Sequence, residues 1–424
     1  MAGYAFTKDF ALEQDKTDSL GSFRKKFLFP QHDGKDVIYF CGNSLGLQPV
    51  TTRQYIQQEL DDWAKYAVEA HFTAKNPWYS YHEMFAKPLA GLVGALPLEV
   101  VAMNQLTSNI HFLFASFYQP VKGRYKILCE GAAFPSDQYA IDSQVRFHGY
   151  NPADAIIELY PRDGEHAIRH EDVLTAIEKH KNELALVFIG GVNYYSGQVF
   201  DMKSITETGH KAGAMVGFDL AHAIGNVKLS MHEWDVDFAV WCSYKYLNSG
   251  PGSVGGAYIH ERHAKNTSMP RLAGWWGHDK DVRFRMEKNF KAMPAAEGWQ
   301  VSNAPVFSMA AHKAALDIFE EAGMAALSEK SKKLTGYLEF IITEINLKLQ
   351  TSNIKLEIIT PKERGCQLSI VAHGLGKSLY EKLTANGIMA DWREPNVIRC
   401  APVPLYNSFE DVFRFGEIVL QILK

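Results

Sequence analysis

Short apolar runs recur through the middle of the chain, and amphipathic stretches separate them. VVAMN, YKILCE, AIIELY, LALVFIGG, AMVGFD and DFAVWCSY are rich in Val, Ile, Leu and Phe, with little polar alternation. That pattern suits strands buried on both faces of a sheet. HEDVLTAIEKHKN and MKSITETGHKAG lie between them and carry apolar residues at helical spacing. Strand and helix in turn predict βαβ units, a mostly parallel sheet and an α/β fold. Ligands of such sheets gather beyond the carboxyl ends of the strands.

From Val306 the pattern changes. FSMAAHKAALDIFEEAG reads as a helix with a glycine stop, and LSEKSKKLTGYLEFIITEINLKL as a second. CQLSIVA and NVIRCAPV then read as strands of a smaller α+β unit. The division expected is 1–50, an N-terminal segment packing with the smaller unit; 51–305, the large domain; and 306–424, the small domain.

Composition narrows the function. The chain has 424 residues, 46% hydrophobic and 22% charged, with net charge −4. No cationic excess is present to neutralise a nucleic acid backbone, and a nucleic-acid partner is not expected. The five cysteines are odd in number, widely spaced and without a C-x-x-C pair. Neither a disulfide framework nor a metal site is expected, and a reducing compartment is the better setting. The first twenty residues lack the apolar core of a signal peptide, and no run is long enough to span a membrane. The expectation is a cytoplasmic protein with no membrane partner.

The chemistry centres on WCSYKYLNSGPGSVGGAYIH, residues 241–260. Lys245 sits at the end of an apolar run, a costly place for a cation that has no task there. Gly250, Gly252 and Gly255 match G-x-G-x-x-G, but AYIHERH reads as a strand, where a dinucleotide site needs a helix. A tight reversal between strands fits those glycines better. Asp219 closes the run in GFDLAHAIGN, with His222 three residues on, and Lys245 follows Asp219 by 26 residues. Taken alone, Asp219 reads as a turn or helix cap. One strand, connection and strand would bring both residues to the same sheet edge. A lysine for a Schiff base and a carboxylate for a pyridine nitrogen suit pyridoxal phosphate, PLP. Leu106, Thr107 and Ser108 fall where a strand yields to a helix, suited to a phosphate or to ordinary capping. Phe134, in FPSDQYA, could stack on a flat ring or pack in the core.

Phosphate loop, aromatic residue, aspartate and lysine come in the order of fold-type-I PLP enzymes. The chain further resembles the kynureninases, of the aminotransferase class V branch. The matching stretches are YFCGNSLGLQP (39–49), FPSDQYAI (134–141), GFDLAHAIGN (217–226), WCSYKYLNSGPG (241–252), RLAGWWGH (271–278), VSNAPV (301–306) and IRCAPVPLYNSFEDV (398–412).

The resemblance implies PLP-dependent hydrolysis of L-kynurenine or its 3-hydroxy form to an anthranilate and L-alanine, in tryptophan catabolism and the route to NAD. It implies that Lys245 carries the cofactor and moves protons, that Asp219 pairs with the ring nitrogen beside His222, and that Tyr244 contacts the cofactor phosphate and is an acid–base partner. Leu106 and Thr107 would cradle the phosphate. Phe134, Pro135, Ser136 and Asp137 would line the ring, with Phe134 stacked on it. Trp275 and Asn303 would complete the site from the partner of a homodimer. Arg399 would clamp the substrate carboxylate, with Ser44 also in the substrate site, and His71 and Asn303 would face its aromatic end. Where some relatives place a hydroxyl near the end of LALVFIGG, this chain has Gly190 and Gly191. The rival readings are a cysteine desulfurase, with Cys366 as the tempting nucleophile, an aminotransferase, and a non-catalytic PLP-binding protein.

Overall fold

The computed structural model describes residues 3–349 and 353–423. Its main sheet has seven strands: β1 (Val100–Ala102), β2 (Lys126–Glu130), β3 (Ile156–Leu159), β4 (Leu184–Gly190), β5 (Met215–Asp219), β6 (Phe238–Trp241) and β7 (Gly256–Ile259). They lie side by side in the order β1, β7, β6, β5, β4, β2, β3. All neighbouring pairs are parallel except those made by β7, which runs against both β6 and β1. The first six are the six apolar runs of the sequence.

Those runs lack alternation because both faces of the sheet are covered. Successive β6 residues Phe238, Ala239, Val240 and Trp241 enter opposite cores in turn, and each is fully buried. Full burial of one such large side chain is worth about 1.5–3 kcal/mol, so a polar residue on either face is costly. Helices α2 (Leu106–Phe117) and α3 (Pro135–Phe147) close one face. On the other lie α1 (Thr52–Tyr66), α4 (His170–Lys179), α5 (Met202–Lys211) and α6 (Val306–Ala322). The glycine stretch before β7 reverses the chain between antiparallel strands. Gly250 (φ 91°) and Gly252 (φ 65°) take left-handed conformations there, which explains the glycines without a dinucleotide.

The second sheet is antiparallel, with β8 (Lys355–Ile358), β9 (Leu368–His373), β10 (Asp391–Arg393) and β11 (Val397–Cys400) in the order β8, β9, β11, β10. Helices α7 (Met324–Lys348) and α8 (Phe409–Ile422) share its core. Ala11, Ile38 and Phe40 of the N-terminal segment enter that same core. The Asp15 carboxylate accepts from the amides of Phe409 (2.7 Å) and Glu410 (2.9 Å) at the start of α8. Lys330 and Asp18 form a buried ion pair at 2.7 Å. Helix α6 lies beyond residue 305 but packs Met309, Leu316 and Phe319 into the larger core. The change of core falls within α7, between Leu327 and Leu334.

Candidate active site

Parallel strands deliver their carboxyl ends to one edge of the sheet, and the cleft there is about 260 Å³. β5 contributes Asp219 as its last residue. β6 ends three positions before Tyr244, which with Lys245 lines the cleft. β2 leads into Phe134 and the start of α3, and β1 into the start of α2. Asp219 stands opposite Val240 on β6 and Gly190 on β4. This register is what the 26-residue separation of Asp219 and Lys245 anticipates.

Lys245 is buried, and its Nζ lies 3.0 Å from His222 Nε2. Burial first, then the charges of Lys245, Arg399 and Arg393, push the His222 pKa well below the usual histidine range. The ring is therefore neutral, and its Nε2 accepts from the lysine amine. The proton assigned to Nδ1 then has no partner.

Asp219 Oδ1 accepts from the Ala221 amide at 2.7 Å. Burial raises the Asp219 pKa although the Lys245 charge opposes it. Burial, reinforced by Asp219, raises Asp137 further. Two neighbouring buried carboxyls thus both lean towards their protonated forms, against the opposing charge of Lys245. Asp137 Oδ1 is buried without a partner.

Leu106, Thr107 and Ser108 form the first turn of α2 and line the cleft. No side chain caps that turn, so the capping alternative for its hydroxyls is not the one adopted. The amides of an uncapped first turn at the cleft are a favourable setting for a phosphate. Phe134 lies with its ring centroid 5.7 Å from Lys245 Nζ. Pro135 opens α3, and Ser136 and Asp137 follow it into the cleft. Burial and the neighbouring Cys242 keep the Tyr244 hydroxyl protonated well above neutral pH. These groups fit PLP: a buried amine, paired carboxyls for a ring nitrogen, an aromatic face and an uncapped helix start. The unpartnered His222 Nδ1 and Asp137 Oδ1 are polar atoms that a bound ring could satisfy.

Arg399 and Ser44 lie in the neighbouring layer. Arg399 is almost fully buried; one guanidinium nitrogen donates to the Tyr194 carbonyl at 2.6 Å and another pairs with Asp391. Ser44 also donates to Asp391, and the Arg399 Nε has no partner. His71, Trp275 and Asn303 come together elsewhere in the same chain, in an aromatic pocket with Phe72, Tyr79 and Phe284. Lys245 does not line that pocket.

Sequence reasoning missed Glu130, Tyr194 and Ser253, which also line the cleft. Glu130 closes an apolar strand as Asp219 does, and that signal was available. Cys366 is fully buried before β9, with its thiol pushed up to about 12 by burial. An exposed, ionisable nucleophile is the opposite environment.

Comparison with solved structures identifies the architecture. A C-DES mutant with glycine covalently linked to its PLP cofactor matches with a TM-score of 0.75 at 16% identity, over 90% of this chain and 96% of that one. An apo cysteine desulfurase from Thermococcus onnurineus matches with a TM-score of 0.73 at 17% identity, over 100% and 99%. The fold is that of the fold-type-I PLP-dependent enzymes, class V branch. Sequence likeness is closer: 56% identity to a kynureninase of Flavobacterium psychrophilum, over 97% of both chains. A kynureninase of Myxococcus xanthus is 53% identical over 96% of both, and one of Nematostella vectensis 47% over 96% of this chain and 92% of that one. Residues 327–419 match the kynureninase C-terminal domain. The chain belongs to the kynureninase family.

Proposed function

We infer that the protein hydrolyses L-kynurenine, 3-hydroxy-L-kynurenine or both to the corresponding anthranilate and L-alanine. The observation that carries this reading is the buried Lys245 amine, 3.0 Å from a neutral His222, in a chain that matches kynureninases almost end to end. Incubation with PLP and L-kynurenine tests it: anthranilate fluorescence and L-alanine should rise in equal amounts. Release of sulfide from L-cysteine instead, or a requirement for a 2-oxo acid, would overturn it.

Bound PLP would supply a carbonyl that takes up an amine and a ring that stores an electron pair. Lys245 would hold it, Asp219 and Asp137 would face the ring nitrogen, and the first turn of α2 would receive the phosphate. Phe134 limits one side of the ring's space. Lys245 Nζ is the base for the substrate's α-proton, while neutral His222 accepts its hydrogen bond and adds no charge. Tyr244 stays protonated and is the donor to atoms that gain electrons when the carbon–carbon bond breaks. Arg399 binds the substrate carboxylate with the donor capacity that Tyr194 and Asp391 leave free. A cytoplasmic setting belongs to the same reading and is supported by five unpaired cysteines. Among the described residues, no helix is long and apolar enough to cross a membrane.

The same reading includes a homodimer with shared sites. Trp275, Phe72 and Phe284 leave much of their apolar surface exposed around the pocket that holds His71 and Asn303. A second copy could cover that surface and bring the pocket to its own Lys245. Lys245→Ala and Asn303→Ala chains, each inactive alone, should on mixing recover about a quarter of native activity if subunits exchange at random. A fully active monomer would contradict this.

His71 and Asn303 can donate to or accept from a ring hydroxyl, as can the Tyr79 hydroxyl in the same pocket. A site that pairs with a hydroxyl discriminates against the analogue lacking it. 3-Hydroxykynurenine is expected to be preferred, by about tenfold or more in kcat/KM. His71→Trp with Asn303→Thr should shift the preference towards kynurenine. A native enzyme that turns over kynurenine more efficiently would refute this account of the ring pocket.

A further inference from the structure

We propose that Glu130 is a positioning residue for the substrate carboxylate, acting through the 193–196 turn on Arg399. Glu130 is the last residue of β2 and is buried at the edge of the cleft. The ring-nitrogen role already belongs to Asp219 and Asp137, so this third carboxylate needs another reason to be there. A buried carboxylate without a task is costly.

Its hydrogen bonds supply the reason. Oε1 accepts from the Gly190 amide at 3.2 Å, and Oε2 accepts from Asn193 Nδ2 at 2.8 Å. Asn193 in turn organises the loop after β4. Its Oδ1 accepts from the amides of Tyr195 (3.0 Å) and Ser196 (2.8 Å) and from the Ser196 hydroxyl (3.0 Å). That turn presents the Tyr194 carbonyl to Arg399 and the Tyr195 carbonyl to Ser369, both on strands of the small sheet. The Tyr194 ring also packs edge-on against Phe134, with centroids 5.4 Å apart. Glu130 therefore ties the cofactor-bearing sheet to the arginine that reads the substrate.

Gly190 makes the tie possible. A Cβ there would come within 2.7 Å of Glu130 Oε1, closer than side chains tolerate. The missing side chain of Gly190 is thus the opening through which Glu130 reaches the backbone. Fixing the Asn193 amide nitrogen also fixes which way its oxygen points. With the amide turned over, its Oδ1 would no longer meet the three donors of the turn.

The proposal rests on the carboxylate role of Arg399, and its test does not need kynurenine turnover. In Glu130→Gln the side chain keeps its size but offers one acceptor oxygen to two donors. The holoenzyme is titrated with L-alanine and with ethylamine, which is L-alanine without its carboxylate, and the change in PLP absorbance is followed. Affinity for L-alanine should fall about five- to tenfold, the scale of one lost hydrogen bond, and affinity for ethylamine less than about twofold. Asn193→Ala should reproduce this, and the double variant should lose little more than either single change. Where kynurenine is turned over, its KM should rise by the same factor, with a smaller fall in kcat. Equal losses for both amines, or no loss for L-alanine in Glu130→Gln and Asn193→Ala, would overturn the proposal. Asn193→Ala decides the matter if Glu130→Gln does not fold. Failure of the unaltered chain to cleave kynurenine would instead count against the assigned reaction.

Discussion

Lys245→Ala is expected to abolish turnover, with kcat reduced by about 10⁴-fold or more, and to remove the visible absorbance of bound PLP. A nucleophile and proton carrier in one group has no substitute nearby, because burial depresses the His222 pKa and leaves its ring neutral and a weak proton acceptor. The change should spare the fold. The side chain opens onto the cleft, so its removal enlarges that cleft without creating a sealed core cavity. His222 loses the donor to its Nε2, at a cost of about 1–3 kcal/mol for a buried acceptor left without its partner. The thermal midpoint should therefore move by a few degrees only. A variant that keeps both the absorbance band and turnover would remove Lys245 from the mechanism.

Asp219→Asn should separate function from stability. Asparagine keeps the size and an oxygen for the Ala221 amide but lacks the negative charge opposite a ring nitrogen. Loss of one preorganised electrostatic partner typically costs about 10²–10³ in kcat, and the same is expected here. Stability of the cofactor-free chain should not fall. The Asp219 pKa is raised in the folded chain, so folding favours its protonated form. The stability this group contributes is full below its unfolded pKa and is lost as pH rises through the folded value. Asparagine stays neutral throughout, and at neutral pH the cofactor-free variant should unfold at the same temperature or higher. Thermal melts with and without PLP, beside kcat, check both halves. A variant with unchanged kcat would contradict the pairing of Asp219 with the cofactor.

Much of this was readable because the sheet is covered on both faces. Val187, Phe218 and Val240 sit in unbroken apolar runs for that reason, and the runs end where the chemistry begins. Asp219 and Lys245 stood out as charges at such ends. Glu130 stood at one too, but a lone strand-end carboxylate reads equally as a turn residue, and only its bonds to Gly190 and Asn193 reveal its task. Thr107 and Ser108 had a capping alternative that only backbone geometry removes. The boundary at 305 marked a change of element pattern, yet a helical period is the same whichever core it faces, and α6 faces the larger one. The meeting of His71, on the short helix Ala70–Thr73, with Trp275 and Asn303 needs segments far apart along the chain to converge, which no local pattern encodes.

The most direct test is reductive trapping. Borohydride treatment of the PLP-loaded protein, followed by peptide mass mapping, should find one pyridoxyl phosphate group per chain, on the peptide that contains Lys245, and none in Lys245→Ala. A label on another lysine, or no label in a protein that still cleaves kynurenine, would contradict the account.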